Sequence, residues 1–339
     1  MTIPSTARRA STRAAFVLLT LAGAIVVAPR CIDAQRTTPA VRQVTVAPAV
    51  TLEVLDSGGT GPALLLLAGL GHTAHVYDGW TARLLRDRFR VIAVTRRGYG
   101  ASSRPATGYD SATLVRDLVA VLDTLGITRV IAAGHSIGAA EAMLLAARYP
   151  TRVDRLVILG PAVDYKRYVT MQVARNAPAG PEPAPGSYHH ETVADYTLLA
   201  ERATGAAFPE SEVRAMFAVN ADGTVGGSSA RPGAGTAIMD GLETLDGVTV
   251  TVPTLEITQG TAPLEVIHPF WPQLDPGERG YARQLAEIRR EVEASLRATF
   301  ARTAPTRRTI TIDGAGPYPF LTHPGEVTHH VLEFAATGR

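Results

Sequence analysis

Cysteine is nearly absent from this chain: Cys31 is the only one among 339 residues. That excludes a disulfide framework, a cysteine-built metal site and, beyond residue 31, a thiol nucleophile. No Gly-rich phosphate loop, metal triad or flavin fingerprint occurs, so no cofactor and no metal is implied. No stretch beyond the N-terminal region is apolar for long enough to span a bilayer.

What the N-terminus does contain is a leader pattern. Arg8, Arg9 and Arg13 precede an apolar run over residues 14–28, and the small residue Ala34 follows a few polar positions later. This is the layout of a secretory signal peptide, too short and wrongly flanked for a membrane span. Residues 1–34 are expected to be removed, leaving an exported, periplasmic or secreted protein with no stable membrane span. Arg8-Arg9 lacks the apolar continuation of a twin-arginine signal, and Arg30 before Cys31 argues against a lipoprotein. Four of the 33 basic residues and one of the 31 acidic residues fall in this segment. The remainder carries 29 basic against 30 acidic residues, so the basic balance of the whole chain belongs to the leader. Nothing in that balance points to nucleic acid. About 305 residues remain, enough for one large domain with an insertion.

Residues 35–48 read as a polar, Pro-containing linker. Beyond them, strands are predicted at 51–56, 63–68, 89–95, 130–133 and 156–159. Helical spacing occupies 76–88, 110–125 (with Asp110 as the cap) and 137–149. Continuous apolar runs such as Leu64-Leu65-Leu66-Leu67 are expected of strands buried on both faces. Strands alternating with helices imply an α/β fold, a doubly wound and mostly parallel sheet. The alternation stops after Gly160. Residues 163–249 hold helical pieces at 193–203 and 210–219 between loops rich in Pro and Gly, 178–187 and 222–235. They read as a cap inserted into a core made of 49–162 and 250–339. The alternation resumes with a strand at 253–258, a long helix over 279–302, a strand at 309–312 and a last helix over 325–336.

The sharpest chemical signal is Gly134-His135-Ser136-Ile137-Gly138, entered from the apolar run Val130-Ile131-Ala132-Ala133 and followed by a helix-forming run. A Gly-x-Ser-x-Gly turn between strand and helix strains the serine backbone and lifts its hydroxyl to the helix N-terminus. Amide N–H groups there face developing negative charge. Ser136 is the expected nucleophile.

Four segments in order resemble the α/β-hydrolase family over essentially all of residues 50–338. Leu66-Leu67-Ala68-Gly69-Leu70-Gly71 corresponds to its oxyanion loop. Thr95-Arg96-Arg97-Gly98-Tyr99-Gly100-Ala101-Ser102 corresponds to its Arg-Gly-x-Gly-x-Ser segment. Gly134–Gly138 corresponds to its nucleophile elbow, and Gly314-Ala315-Gly316 to the turn after the last strand. The resemblance is strongest to exported bacterial members of unassigned substrate. It implies an inserted helical cap, and an oxyanion hole formed by the backbone N–H groups of Leu70 and Ile137.

The departures concern the base and the acid. Where the family has a histidine after the Gly-Ala-Gly turn, this chain has Pro317. The usual acid position beyond the seventh core strand reads Gln259-Gly260-Thr261-Ala262-Pro263, with no acid before Glu265. Asp164, after the preceding core strand, is a displaced candidate acid. His323 is the candidate base; His72, beside the oxyanion loop, is another. His135 is expected to pack, as is His268 beside Phe270 and Trp271. His189-His190 and His329-His330 lack a third ligand at useful spacing. Glu141 is expected to bond within the core, and Glu256, inside an apolar strand, needs a partner such as Arg96 or Arg97. The leading expectation is a serine hydrolase of a carboxylic ester or similar acyl substrate. The competing one is a pseudoenzyme that binds an apolar small molecule or a protein partner. A non-hydrolytic enzyme on the same fold, such as a lyase, is the third.

Overall fold

The apolar runs of the sequence become the middle of one eight-stranded sheet. Its order is β1 (Ala40–Ala47), β2 (Val50–Asp56), β4 (Arg90–Val94), β3 (Ala63–Leu67), β5 (Val130–His135), β6 (Val153–Leu159), β9 (Thr254–Gln259) and β10 (Arg307–Ile312). Only β2 runs against the rest; it pairs antiparallel with β1 and β4, and the other pairings are parallel. The computed structural model describes residues 39–86, 89–174, 192–260, 263–267 and 271–337. The expected leader at 1–34, the Pro-rich loop at 178–187, His189-His190 and His268 lie outside them.

Side chains explain why these strands are apolar without interruption. Leu65 and Leu67 of β3 join one buried cluster, while Leu64 and Leu66 join the other. Ile92 and Val94 of β4 split from Val91 and Ala93 in the same way, as do Val130 and Ala132 of β5 from Ile131 and Ala133. With a side-chain period of two, a strand covered on both faces must be apolar at every position. The first cluster packs under α2 (Ser111–Thr124) and α3 (Ile137–Arg148); the second packs under α1 (Asp78–Arg86) and α11 (Pro324–Thr337). Asp110 accepts the Thr113 N–H at 2.9 Å and caps α2, as its position in the sequence predicts.

Two expectations need correction. Residues 35–48 were expected to be a linker, yet 40–47 form β1, which hydrogen-bonds along β2 and puts Val44 into the core. A half-exposed edge strand alternates weakly, and that is why its sequence reads as polar lead-in. The expected loop 222–235 contains β8 (Val225–Ser228), paired antiparallel with β7 (Phe217–Val219). Consequently the helix predicted over 210–219 ends early, as α6 (Glu210–Met216).

The chain between β6 and β9 carries α4 (Tyr165–Ala174), α5 (Val193–Thr204), α6, the β7–β8 hairpin and α7 (Ala234–Gly241). Its α5 begins with a reciprocal Thr192–Asp195 capping box and ends on Gly205 in the left-handed region. After β9 come the short α8 (Leu264–Ile267) and the long helix α9 (Pro276–Thr303), then β10 and the short α10 (Pro319–Thr322).

Candidate active site

The sheet order reverses around β3: the chain moves outward to β4 on one side, then returns to β5 on the other. In doubly wound sheets the crevice beyond the strand ends at such a point is where ligands bind. Here the loop after β3 and the turn after β5 leave the sheet side by side, Leu67 being in register with Gly134.

Ser136 occupies that turn with φ 53° and ψ −123°, a conformation seldom adopted by a residue bearing a side chain. The crossing is too close for a Cβ at either flanking glycine. A Cβ on Gly138 would run into the Leu67 and Ala68 carbonyls, and one on Gly134 into the Gly138 backbone. Ser136 is followed at once by α3, whose first residue is Ile137, so the Ile137 N–H has no partner within the helix. A Cβ placed on Gly69 would lie 3.4 Å from that of Ser136, which puts the loop carrying Leu70 directly against the serine. The Ser136 hydroxyl makes no hydrogen bond to another protein group among the described residues.

Arg96 holds these two segments together. Its guanidinium meets Glu141 of α3 at 2.5 and 3.0 Å, and the carbonyls of Ala68 and Gly69 at 2.8 and 3.3 Å. Burial works against its charge, but the Glu141 carboxylate more than offsets this and holds the guanidinium above its ordinary value. Glu141 is thus structural, as expected. Glu256 is not a partner of Arg96 or Arg97: it pairs with Arg307 at 3.2 Å and accepts the Ala162 N–H at 2.9 Å. Arg97 pairs with Asp117 instead, through two 2.6 Å bonds.

Pro317, which stands where the resemblance leads one to expect a histidine, is brought to the elbow. His135 Nε2–H donates to the Pro317 carbonyl at 2.9 Å, so the loop after β10 is fastened to the residue immediately before Ser136. His135 packs, as expected, its ring centroid 4.8 Å from that of Tyr318 and 5.4 Å from that of Phe320.

The other two candidates are engaged elsewhere. His323 ends α10; its Nδ1 lies 3.0 Å from Thr322 Oγ1, and it makes no hydrogen bond with Ser136. Asp164 is buried and accepts the N–H groups of Arg167 at 3.0 Å and Leu245 at 2.7 Å. It caps the start of α4 and fastens the insertion's return strand of chain. Glu265 is exposed and faces Arg283 at 3.6 Å.

A histidine–carboxylate pair does exist, formed by residues 140 positions apart. His72 Nδ1 lies 2.9 Å from Glu212 Oε1, and Glu212 of α6 is completely buried. Glu212 also accepts the Thr73 N–H at 3.0 Å and the Thr73 hydroxyl. The second ring nitrogen of His72, Nε2, lies 3.0 Å from the Tyr318 hydroxyl. Phe208 closes the cluster, 4.8 Å from the His72 ring and 5.1 Å from that of Tyr318. His72 was visible in the sequence as a loop histidine; Glu212 and Tyr318 carried no signal, because neither is near it along the chain.

His329 and His330 have a third group after all: Glu333, one turn on in α11, brings a carboxylate oxygen within 4.8 Å of both. Glu333 already faces Arg308 at 3.2 Å, so this exposed cluster carries its own cation.

Residues 62–180 match the family model described as alpha/beta hydrolase fold. The chain is similar to a 2-(acetamidomethylene)succinate hydrolase of Mesorhizobium japonicum, 36% identical over 35% of this chain and 41% of that protein. It is also similar to a 2-hydroxymuconate semialdehyde hydrolase of a Pseudomonas species, 34% identical over 38% of this chain and 47% of that protein. Each match thus spans less than half of the relative's length. The crystal structure of an E-2-(acetamidomethylene)succinate hydrolase superposes with a TM-score of 0.64 at 22% identity, over 88% of this chain and all of that one. That last likeness bears on the fold alone, and it extends over a larger share of this chain than the family model or either relative does. The chain has the α/β-hydrolase fold, and residues 62–180 match that family's model.

Proposed function

We propose that this chain is an exported serine hydrolase of carboxylic esters or closely related acyl compounds. Ser136 is the nucleophile, and the Leu70 and Ile137 amides hold the oxyanion. The observation that carries this reading is the Ser136 backbone, φ 53° at a strand–helix crossing pressed against the Gly69 loop. Such strain persists only where the surroundings enforce it, and here it aims a hydroxyl at the start of a helix. Donors supplied by the backbone do not depend on side-chain identity, so the hole tolerates Ala68. The insertion between β6 and β9 acts as a cap, reaching the site through Glu212 and Phe208. Hydrolase names among the relatives support the same reaction class. The substrate is a small acyl compound, and the charge balance beyond residue 34 gives nucleic acid no role.

The second reading is a degenerate member that binds an apolar small molecule or a protein partner. Pro317 favours it, because a serine hydroxyl needs a base to take its proton as it attacks. A fluorophosphonate probe and p-nitrophenyl esters separate the two. Under the hydrolase reading the probe labels Ser136, and ester turnover exceeds that of Ser136→Ala by about 10²-fold or more. If the parent matches Ser136→Ala in both assays while Pro317→His gains activity, the binding reading replaces it. Export has its own test: the N-terminus of secreted or periplasmic material should begin near residue 35, and a mature chain still starting at Met1 would rule it out.

A further inference from the structure

We infer that Glu212 is a positioning residue for the oxyanion hole. Through this carboxylate the insertion fixes the turn that carries the Leu70 N–H, so the hole is complete only while the insertion is seated. The inference rests on the hydrolase reading above, which makes the Leu70 and Ile137 amides the donors. Ile137 is the first residue of α3, and the helix itself sets its N–H. Leu70 lies in a turn, which has to be held by its surroundings.

That turn runs from Gly69 to His72. The His72 N–H donates to the Gly69 carbonyl at 3.3 Å, and Gly71 has φ 84°, the sign that a type II turn needs at its third residue. The closing bond uses the His72 amide, and the Leu70 N–H makes no hydrogen bond among the described residues. Before Leu70 the chain is held by Arg96, through the Ala68 and Gly69 carbonyls at 2.8 and 3.3 Å. After Leu70 it is held by Glu212. Glu212 Oε1 accepts the Thr73 N–H at 3.0 Å and lies 2.9 Å from His72 Nδ1, while Oε2 accepts the Thr73 hydroxyl. The turn is thus gripped on one side from the core and on the other from the insertion.

The distribution of these bonds distinguishes a backbone clamp from an acid that merely orients a histidine. Two of the three go to Thr73, which carries no titratable group, and one of those two is to its main chain. Thr73 is itself fixed: its hydroxyl accepts the His75 N–H at 3.2 Å, and the Ala74 N–H that follows donates to Thr95 Oγ1 at 3.0 Å. Glu212 and Thr73 are both completely buried. A carboxylate without water must keep the bonds it has, so its position dictates that of the amide it holds. The insertion also lies against Leu70 directly, since a Cβ placed on Gly235 of α7 would be 4.0 Å from Leu70 Cδ2. Glu212 acts through the backbone and takes no part in moving the Ser136 proton.

The test compares p-nitrophenyl acetate with its thionoester, in which C=S replaces C=O. A hole donor stabilises a developing oxyanion and does little for the larger, weakly accepting sulfur, so misplacing it slows the ester alone. Loss of a base would slow both. Glu212→Leu leaves the Thr73 N–H unpaired. It should lower kcat for the ester about 10-fold or more, with KM within about threefold and the thionoester rate within about twofold of the parent. Glu212→Gln keeps an oxygen for that N–H and should recover most of the ester rate. Thr73→Val removes one bond and leaves the carboxylate, and it decides the matter if Glu212→Leu does not fold: the ester-to-thionoester ratio should drop several-fold. Equal losses on the two substrates, a parent-like ratio in the folded variants, or a glutamine variant as slow as the leucine one would overturn the positioning role. The hydrolase reading would still stand in each case, provided that the parent turns over the ester and Ser136→Ala does not. If parent and Ser136→Ala are equally inert, the hydrolase reading fails and takes the positioning role with it.

Discussion

Two glycines and a proline decide most of the chemistry open to this site. Gly134 and Gly138 let β5 and α3 meet tightly enough to strain Ser136, and Gly138 is the more constrained because its neighbours are the Leu67 and Ala68 carbonyls. Those atoms belong to β3 and the loop that follows it, and they cannot swing aside as a flexible side chain would. Gly138→Ala is expected to cost about 1–3 kcal/mol of stability, the usual price of overpacking. It should also slow fluorophosphonate labelling of Ser136 by shifting the elbow away from Leu70. Urea unfolding and labelling rates measure both, and parent-like values in each would mean the crossing has slack. The elbow was legible in the sequence because its whole logic is local: five residues, with a strand before and a helix after. Pro317 was equally legible, as a proline where the resemblance leads one to expect a histidine. The Glu212–His72–Tyr318 cluster was not, because no local pattern links residues 140 and 246 positions apart.

Between elements, buried polar groups rather than apolar contacts fasten the loops around the site. Arg96 ties the loop after β3 to α3, and losing either charge of such a pair leaves the other buried without compensation. Asp78 of α1 accepts the Ser211 hydroxyl of α6 at 2.6 Å, one residue before Glu212, so the insertion is pinned at adjacent positions. Asp78 also lies 3.0 Å from His75 Nδ1, whose Nε2 is 3.5 Å from Glu53 of β2. Burial alone would lower the His75 pKa, but the hydrogen bonds to Asp78 and Glu53 overcome it and raise the pKa to about 10. The raised value means that the folded state binds this proton more tightly than the unfolded chain does. The stability it contributes is therefore complete below the unfolded pKa of about 6.5, and is lost as pH rises through about 10. Melting temperature should accordingly fall between pH 7 and 10 in the parent, and His75→Gln should flatten that part of the curve. Parallel curves for the two proteins would show that His75 is not the group responsible.

At the scale of the whole molecule, the sheet places three separate stretches at one crevice. The loop after β3 and the elbow after β5 emerge side by side because their strands are neighbours. The turn after β10 begins three strands from β5 and reaches back to it, where the Pro317 carbonyl meets His135. The insertion between β6 and β9 supplies Glu212 and Phe208 from above. A chain built this way can change its base without changing its fold, since each contribution arrives on a different segment.

The sequence by itself determined the alternation of strands and helices, the strands buried on both faces, the strained serine and the absence of a histidine at position 317. Each of these follows from side-chain period, turn chemistry or the identity of a single residue, all of which act over a few positions. Only the tertiary structure decided that 40–47 is an edge strand, that Asp164 caps α4 instead of orienting an imidazole, that Glu256 pairs with Arg307, and that His72 holds a buried carboxylate from the insertion. These outcomes depend on which segments become neighbours. A buried charge takes whichever partner the fold brings within hydrogen-bond reach, and that choice is settled by strand order and by the packing of the insertion.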